Sequence, residues 1–130
     1  MVFSMKNERK FYRCDKCGNL VGFVEKAGAN IICCGEPMAE LVPNTVDAAT
    51  EKHLPSLARE GNKLKAAVGS VAHPMTPEHH ITWIAVAEEN RTTRVKLQVT
   101  DPPEAEFFIN SDSVTAYAYC NLHGLWAADL

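Results

Sequence analysis

Read for alternation of apolar and polar positions, the chain beyond residue 60 is a series of short extended runs. Residues 64–68, 81–86, 94–99, 106–109 and 114–119 are rich in β-branched and aromatic side chains. The stretch from Arg94 to Val99 has the clearest period of two, which turns Val95, Leu97 and Val99 inward. Turn residues separate the runs at 88–91 and at Asp101-Pro102-Pro103-Glu104. With no helical period between them, these runs predict an antiparallel, immunoglobulin-like β-sandwich.

Ahead of this block the pattern changes scale. A short strand from Phe11 runs into Cys14-x-x-Cys17-Gly18, residues 20–25 read as a strand, 27–30 as its turn, and Ile31-Ile32 as a return strand ending at Cys33-Cys34-Gly35. Residues 38–42 read as one more strand, and 43–50, broken by Pro43 and Asn44, as a connector. The predicted organisation is therefore all-β, with a first domain over residues 1–42 and a sandwich over 43–130. The first is too small to fold on apolar burial alone and needs a cross-link. Four thiolates around one metal ion would supply it, and sulfur ligation leaves zinc and iron equally open. The adjacent Cys33 and Cys34 must splay in opposite directions, which distorts a tetrahedron. A disulfide pair is a third reading, disfavoured in a reducing compartment. A redox-active C-x-x-C is expected beside a βαβ pattern, which is missing here.

Composition narrows the function classes. The 130 residues carry a formal net charge of −3 with no basic run, which argues against a nucleic-acid partner. The N-terminus lacks the apolar core of a signal peptide, and no window approaches the ~18 apolar residues of a membrane span. The expectation is a soluble, cytoplasmic protein with no membrane partner.

Of five cysteines, four form the N-terminal set and Cys120 is left over, in Cys120-Asn121-Leu122-His123-Gly124. A thiol and an imidazole two residues apart can bind one metal ion from one turn. His53, His73, His79 and His80 lie in segments predicted as loops, His53 in an extended one; each alone reads as a solvated histidine. With Cys120 and His123 they could gather at one rim of the sandwich, and His80 is a rival to His79.

Taken together, Cys14-x-x-Cys17, Cys33-Cys34, Glu51-Lys52-His53, His73-Pro74-Met75 with His79, and Cys120-Asn121-x-His123-Gly124-Leu125-Trp126 resemble the desulfoferrodoxins, the two-iron superoxide reductases. The resemblance runs from about residue 11 to 126 and leaves 3–10 outside. It implies a desulforedoxin-like domain whose Cys14, Cys17, Cys33 and Cys34 hold a ferric ion. It also implies a second iron held by His53, His73, His79 and His123 with Cys120 axial, where superoxide takes one electron and leaves as hydrogen peroxide. Glu51 would then close the open position on the oxidised ion, and Lys52 would place a positive charge beside it. A rubredoxin-like donor and a homodimer are implied as well. Thr76-Pro77 and His80 depart from the family's usual residues in that loop. The rivals are a relay that only passes electrons, a structural zinc protein, and a dismutase that regenerates its metal with a second superoxide.

Overall fold

The protein is described by a computed structural model covering residues 5–130. It divides into two units, Arg9–Val42 and Pro43–Leu130, the latter joined by the lead-in up to Glu8.

In the first unit, β1 (Phe11–Arg13), β2 (Leu20–Gly22), β3 (Ile32–Cys33), β4 (Glu36–Pro37) and β5 (Ala39–Leu41) are all two or three residues long. β1 lies between β2 and β5, both antiparallel to it, with Tyr12 opposite Val21 and Glu40; β3 and β4 form a separate hairpin. The buried cluster holds only Tyr12, Cys14 and Met38, with Val21, Phe23 and Cys33 against it. Two of six members are cysteines, so the unit's core and its sulfur site are one object. That is the arrangement expected of a fold too small to bury much apolar surface.

The second unit contains α1 (Thr50–His53), β6 (Pro55–Glu60), β7 (Lys63–Val68), β8 (Ile81–Glu88), β9 (Arg91–Lys96), β10 (Glu104–Phe108), β11 (Thr115–Cys120) and β12 (Gly124–Asp129). Two antiparallel sheets form, one in the order β10-β7-β6 and one in the order β12-β11-β8-β9. Their inner faces share a core that includes Leu64, Val68, Ile84, Phe107, Ile109 and Cys120, all nearly free of solvent. Burying each of the larger apolar side chains stabilises the fold by roughly 1.5–3 kcal/mol. Among the described residues the fold is all-β apart from the single turn of α1.

Several elements depart from the sequence reading. β9 begins at Arg91 and ends at Lys96 rather than spanning 94–99, because Gln98 and Asp101 close a turn: the Gln98 N–H donates to the Asp101 carboxylate at 2.7 Å, and the Asp101 N–H donates to the Gln98 carbonyl at 3.0 Å. β6 and β12 were not anticipated. Both are edge strands; β6 exposes Ser56, Ala58 and Glu60, whereas β12 buries Leu125, Trp126 and Ala127 in succession and so shows no period of two. The connector is no free linker either. Asn44, at φ 64°, exchanges side-chain hydrogen bonds with the Ala127 backbone at 3.0 and 2.9 Å and donates its own N–H to the Leu125 carbonyl, which pairs the exposed edge of β12. The described residues of the lead-in pack on the sandwich. Buried Asn7 donates to Thr115 Oγ1 at 3.0 Å and to the Ser113 carbonyl at 2.8 Å, and accepts from the Tyr117 hydroxyl at 3.3 Å.

Candidate metal centres

The first cluster is built by two reversals of the backbone. Gly18, at φ 82°, closes the turn after Cys17, with its N–H on the Cys14 carbonyl at 2.9 Å. The Cys17 N–H points at Cys14 Sγ at 3.5 Å. On the other side Cys34 at φ 53° and Gly35 at φ 78° are both left-handed, a strained state for a cysteine. This reversal is how two adjacent residues turn their side chains toward one point. The sulfurs of Cys14, Cys17, Cys33 and Cys34 all lie within 4.8 Å of one another, and those of Cys17 and Cys33 are 3.6 Å apart. Backbone N–H groups of Cys17 and Lys16 pull the Cys14 thiol down to about 6, while hydrogen bonding to Cys14, Cys17 and Cys33 pushes Cys34 up to about 12. Four sulfurs this close can all ionise only around a cation.

The second cluster occupies one end of the sandwich. His53 ends α1 immediately before β6, His73 and His79 lie in the loop between β7 and β8, Cys120 ends β11, and His123 sits in the turn into β12. Ring centroids of neighbouring histidines are 4.7 Å apart for His53–His73, 4.6 Å for His73–His79, 5.0 Å for His79–His123 and 4.8 Å for His123–His53. Each neighbouring pair is steeply inclined, at 75° to 86°, whereas His53 and His79 across the diagonal are 6.2 Å apart and only 30° from parallel. The four imidazoles therefore form a closed square with their edges turned toward its centre. Ligand atoms of His53, His73, His79 and Cys120 lie within 4.8 Å of one another. His123 Nδ1 is 3.8 Å from Cys120 Sγ and 3.1 Å from His53 Nε2.

The hydrogen bonds decide which nitrogen each ring presents. His53 Nδ1 is 2.7 Å from the Ala49 carbonyl and His73 Nδ1 is 2.8 Å from the Pro74 carbonyl, so each donates there and leaves Nε2 as a lone-pair donor. His73 Nε2 and His79 Nε2 are buried with no hydrogen-bond partner. An orphaned buried nitrogen costs about 1–3 kcal/mol, and two converging on one point with a sulfur beside them fit a transition-metal ion. The electrostatics agree. Burial lowers His53 and His79 and brings His73 down to about 4, which favours the neutral form of these three rings. Burial pushes Cys120 up against the N–H groups of Leu122 and His123, and a cation is what would favour its thiolate.

The other expected residues are placed as follows. Glu51 and Lys52 are exposed on α1; the charge of Lys52 bears on both His53 and His79. His80 faces away, its Nδ1 2.9 Å from the Thr76 carbonyl, and the structure brings His79 rather than His80 to the cluster. Sequence reasoning missed Asn121 as a clamp. Its carboxamide accepts the His80 N–H at 2.9 Å and donates to the Glu78 carbonyl at 2.9 Å, which holds the His79 segment against the turn that carries Cys120. Nothing in the motif spacing marks such a tie.

Comparison with known proteins follows the two units. The desulfoferrodoxin N-terminal domain family matches residues 6–41 and the desulfoferrodoxin family residues 45–129, so the first match reaches back to residue 6 of the lead-in. A desulfoferrodoxin homolog from Archaeoglobus fulgidus is 46% identical over 122 residues, 94% of this chain and 98% of its own. The superoxide reductase from Treponema pallidum superposes with a TM-score of 0.75 at 38% identity, covering 93% of this chain and 98% of its own. The one-iron superoxide reductase from Giardia intestinalis gives a TM-score of 0.55 at 31% identity, covering 62% of this chain and 97% of its own. Both clusters fit the iron centres of desulfoferrodoxins.

Proposed function

This chain belongs to the desulfoferrodoxin family, and from that premise we propose that it is a superoxide reductase whose reaction takes place at the histidine–cysteine centre. The observation that carries this reading is the closed square of four imidazoles with a buried cysteine sulfur within reach of every ligand nitrogen. Likeness to the Treponema pallidum superoxide reductase over nearly the full length supports it. The Giardia intestinalis enzyme, which matches 62% of this chain while using 97% of its own, supports assigning the chemistry to one centre alone.

Iron held by His53, His73, His79, His123 and Cys120 would supply a one-electron couple and, with five protein donors, one exchangeable position for the substrate. The chain's own residues do the rest. Lys52 is exposed next to ligand His53 and draws the anion in. Burial disfavours the Cys120 thiolate while the N–H groups of Leu122 and His123 favour it, so a bound cation would set its charge, and the thiolate would then lend electron density to that ion. Glu51, exposed two residues before His53, would offer a hard carboxylate of the kind an oxidised ion favours. Superoxide takes one electron and two protons to give hydrogen peroxide, the electron coming from a rubredoxin-like donor. The four-cysteine unit is a separate domain, with the boundary near Val42. It contributes to a homodimer, for which its exposed Val24, Ile31 and Ile32 are suited.

Oxygen counting tests the reading. A reductase evolves no oxygen per superoxide consumed and stops when its donor is exhausted; a dismutase returns half a molecule of oxygen per superoxide and needs no donor. Sustained turnover without donor would overturn the assignment.

A further inference from the structure

His53 reaches the site from a single helical turn whose backbone rests on the turn after β7. It ends a helix of four residues that has no side-chain cap, and a single helical turn has no stability of its own. The tie from its Nδ1 to the Ala49 carbonyl stays within the same segment, so it fixes the ring relative to α1 and not relative to the sheets. His123 also reaches the site from a turn. These two rings come from positions 70 residues apart, yet their nitrogens meet at 3.1 Å.

Trp126 touches both. It is buried at 3% exposure on β12, paired across to Ala118 of β11, the strand that ends at Cys120. Its ring lies 5.0 Å from that of His53 at 25°, a near-parallel stack on the face of the imidazole. Its indole N–H donates to the His123 carbonyl at 3.0 Å. We propose that Trp126 is a positioning residue of the histidine–cysteine centre, bracing His53 with its ring face and His123 with its N–H so that both ligands are referenced to the sheet that carries Cys120. A buried indole needs some acceptor for its N–H. Here the acceptor belongs to one ligand while the ring packs on another, and filling space alone requires neither. This inference rests on the assignment of the centre as an iron site.

The test compares Trp126→Phe, which keeps an aromatic face and loses the N–H, with Trp126→Leu, which loses both. Iron release from the second centre to a chelator and the visible band of that centre when oxidised are followed in the intact protein, with the four-cysteine centre as internal control. Loss of one hydrogen bond corresponds to about fivefold faster release in Trp126→Phe. Loss of the stack as well should raise this to roughly tenfold or more in Trp126→Leu. The visible band should shift in both, and the four-cysteine centre should be unaffected. Wild-type release and an unshifted band in Trp126→Leu would overturn the brace, and a Trp126→Phe protein identical to wild type would overturn the tie to His123. Equal acceleration at both centres would reduce the residue to a packing element. A wild-type protein that takes no iron at the second centre would strike the parent assignment instead, and this one with it.

Discussion

Gly69 lies in backbone contact beneath Glu51. A Cβ on Gly69 would stand 2.7 Å from the Glu51 carbonyl oxygen and 2.8 Å from the Lys52 carbonyl carbon, and closer still to the Val71 carbonyl. The residue is at φ +84°, and its N–H donates to the Leu54 carbonyl at 3.1 Å while the Val71 N–H donates to that of Glu51 at 3.0 Å. The turn that follows β7 is therefore the seat on which α1 rests, and the seat exists because residue 69 has no side chain.

Gly69→Ala should lift that seat. A non-glycine residue forced into this conformation costs on the order of 1–3 kcal/mol, and the methyl group collides with backbone on both sides. We expect the unfolding free energy of the sandwich to fall by about that amount in a urea titration, and the rate with superoxide to fall about tenfold as Glu51, Lys52 and His53 shift together. A variant with native kinetics would show that α1 is not positioned from below.

Cys14→Ser should separate the two centres. Cys14 belongs to the buried cluster of Arg9–Val42, and the histidine centre draws on none of that unit. Replacing it should bleach the four-cysteine centre and raise hydrogen exchange over β1, β2 and β5. A single turnover with superoxide should stay within about twofold of wild type, as for independent sites. Disappearance of that turnover along with the first centre would refute independence.

How much of this was legible in the sequence depended on how local the signal was. The sulfur cluster is written in two short motifs and a glycine each, so residues 14–18 and 33–35 could be read directly. That His53, His73, His79, His123 and Cys120 surround one ion was implied by the family resemblance, but spacing alone could not give the ring orientations, which depend on Ala49, Pro74 and Trp126. Strand β6, with Ser56, Ala58 and Glu60 facing out, lacks an apolar alternation because it is an edge. The same strand begins at Pro55, a residue that reads as a breaker yet is tolerated as the first residue of an edge strand. The turn of α1 was invisible for a different reason: its stability comes from Gly69 and Val71, not from its own four residues.

Glu88 makes the sandwich sensitive to acid. Its carboxylate is buried near the end of β8 away from the histidines and accepts from the Asn110 N–H at 2.8 Å, the Ser111 N–H and hydroxyl at 3.0 Å, and Arg91 Nε at 2.8 Å. Burial alone would raise it; these donors outweigh burial and hold it at about 2, against an ordinary 4.5. A carboxyl depressed on folding stabilises the native state above its ordinary value, and that contribution is lost as pH falls through the folded one. Glu88→Gln should therefore be less stable at pH 7 by about 2 kcal/mol, the scale of hydrogen bonds to a charged group. The gap to wild type should close between pH 4.5 and 2. Urea unfolding at pH 7 and pH 3 measures it, and an unchanged gap would sink the assignment.

On the proposed reading a protein of net charge −3 has to capture an anion, and Lys52 addresses how. The overall field repels superoxide weakly, so fast capture needs a positive charge beside the site. Lys52 is exposed, adjacent to ligand His53, and its charge already disfavours protonation of both His53 and His79, which places it within electrostatic range of the ligand square. Focused charge of this kind raises association rates by ~10 to 10³. It is screened by salt over a Debye length of ~10 Å at 0.1 M. Lys52→Ala should lower the second-order rate with superoxide by about tenfold and flatten its dependence on ionic strength, while Lys52→Arg should retain both. Steering requires the two changes together, because one field produces both. If the rate fell with the salt slope intact, the lysine would be delivering protons or ordering solvent. If neither changed, it would be a solvated surface charge, and the anion would have to be drawn by the centre itself.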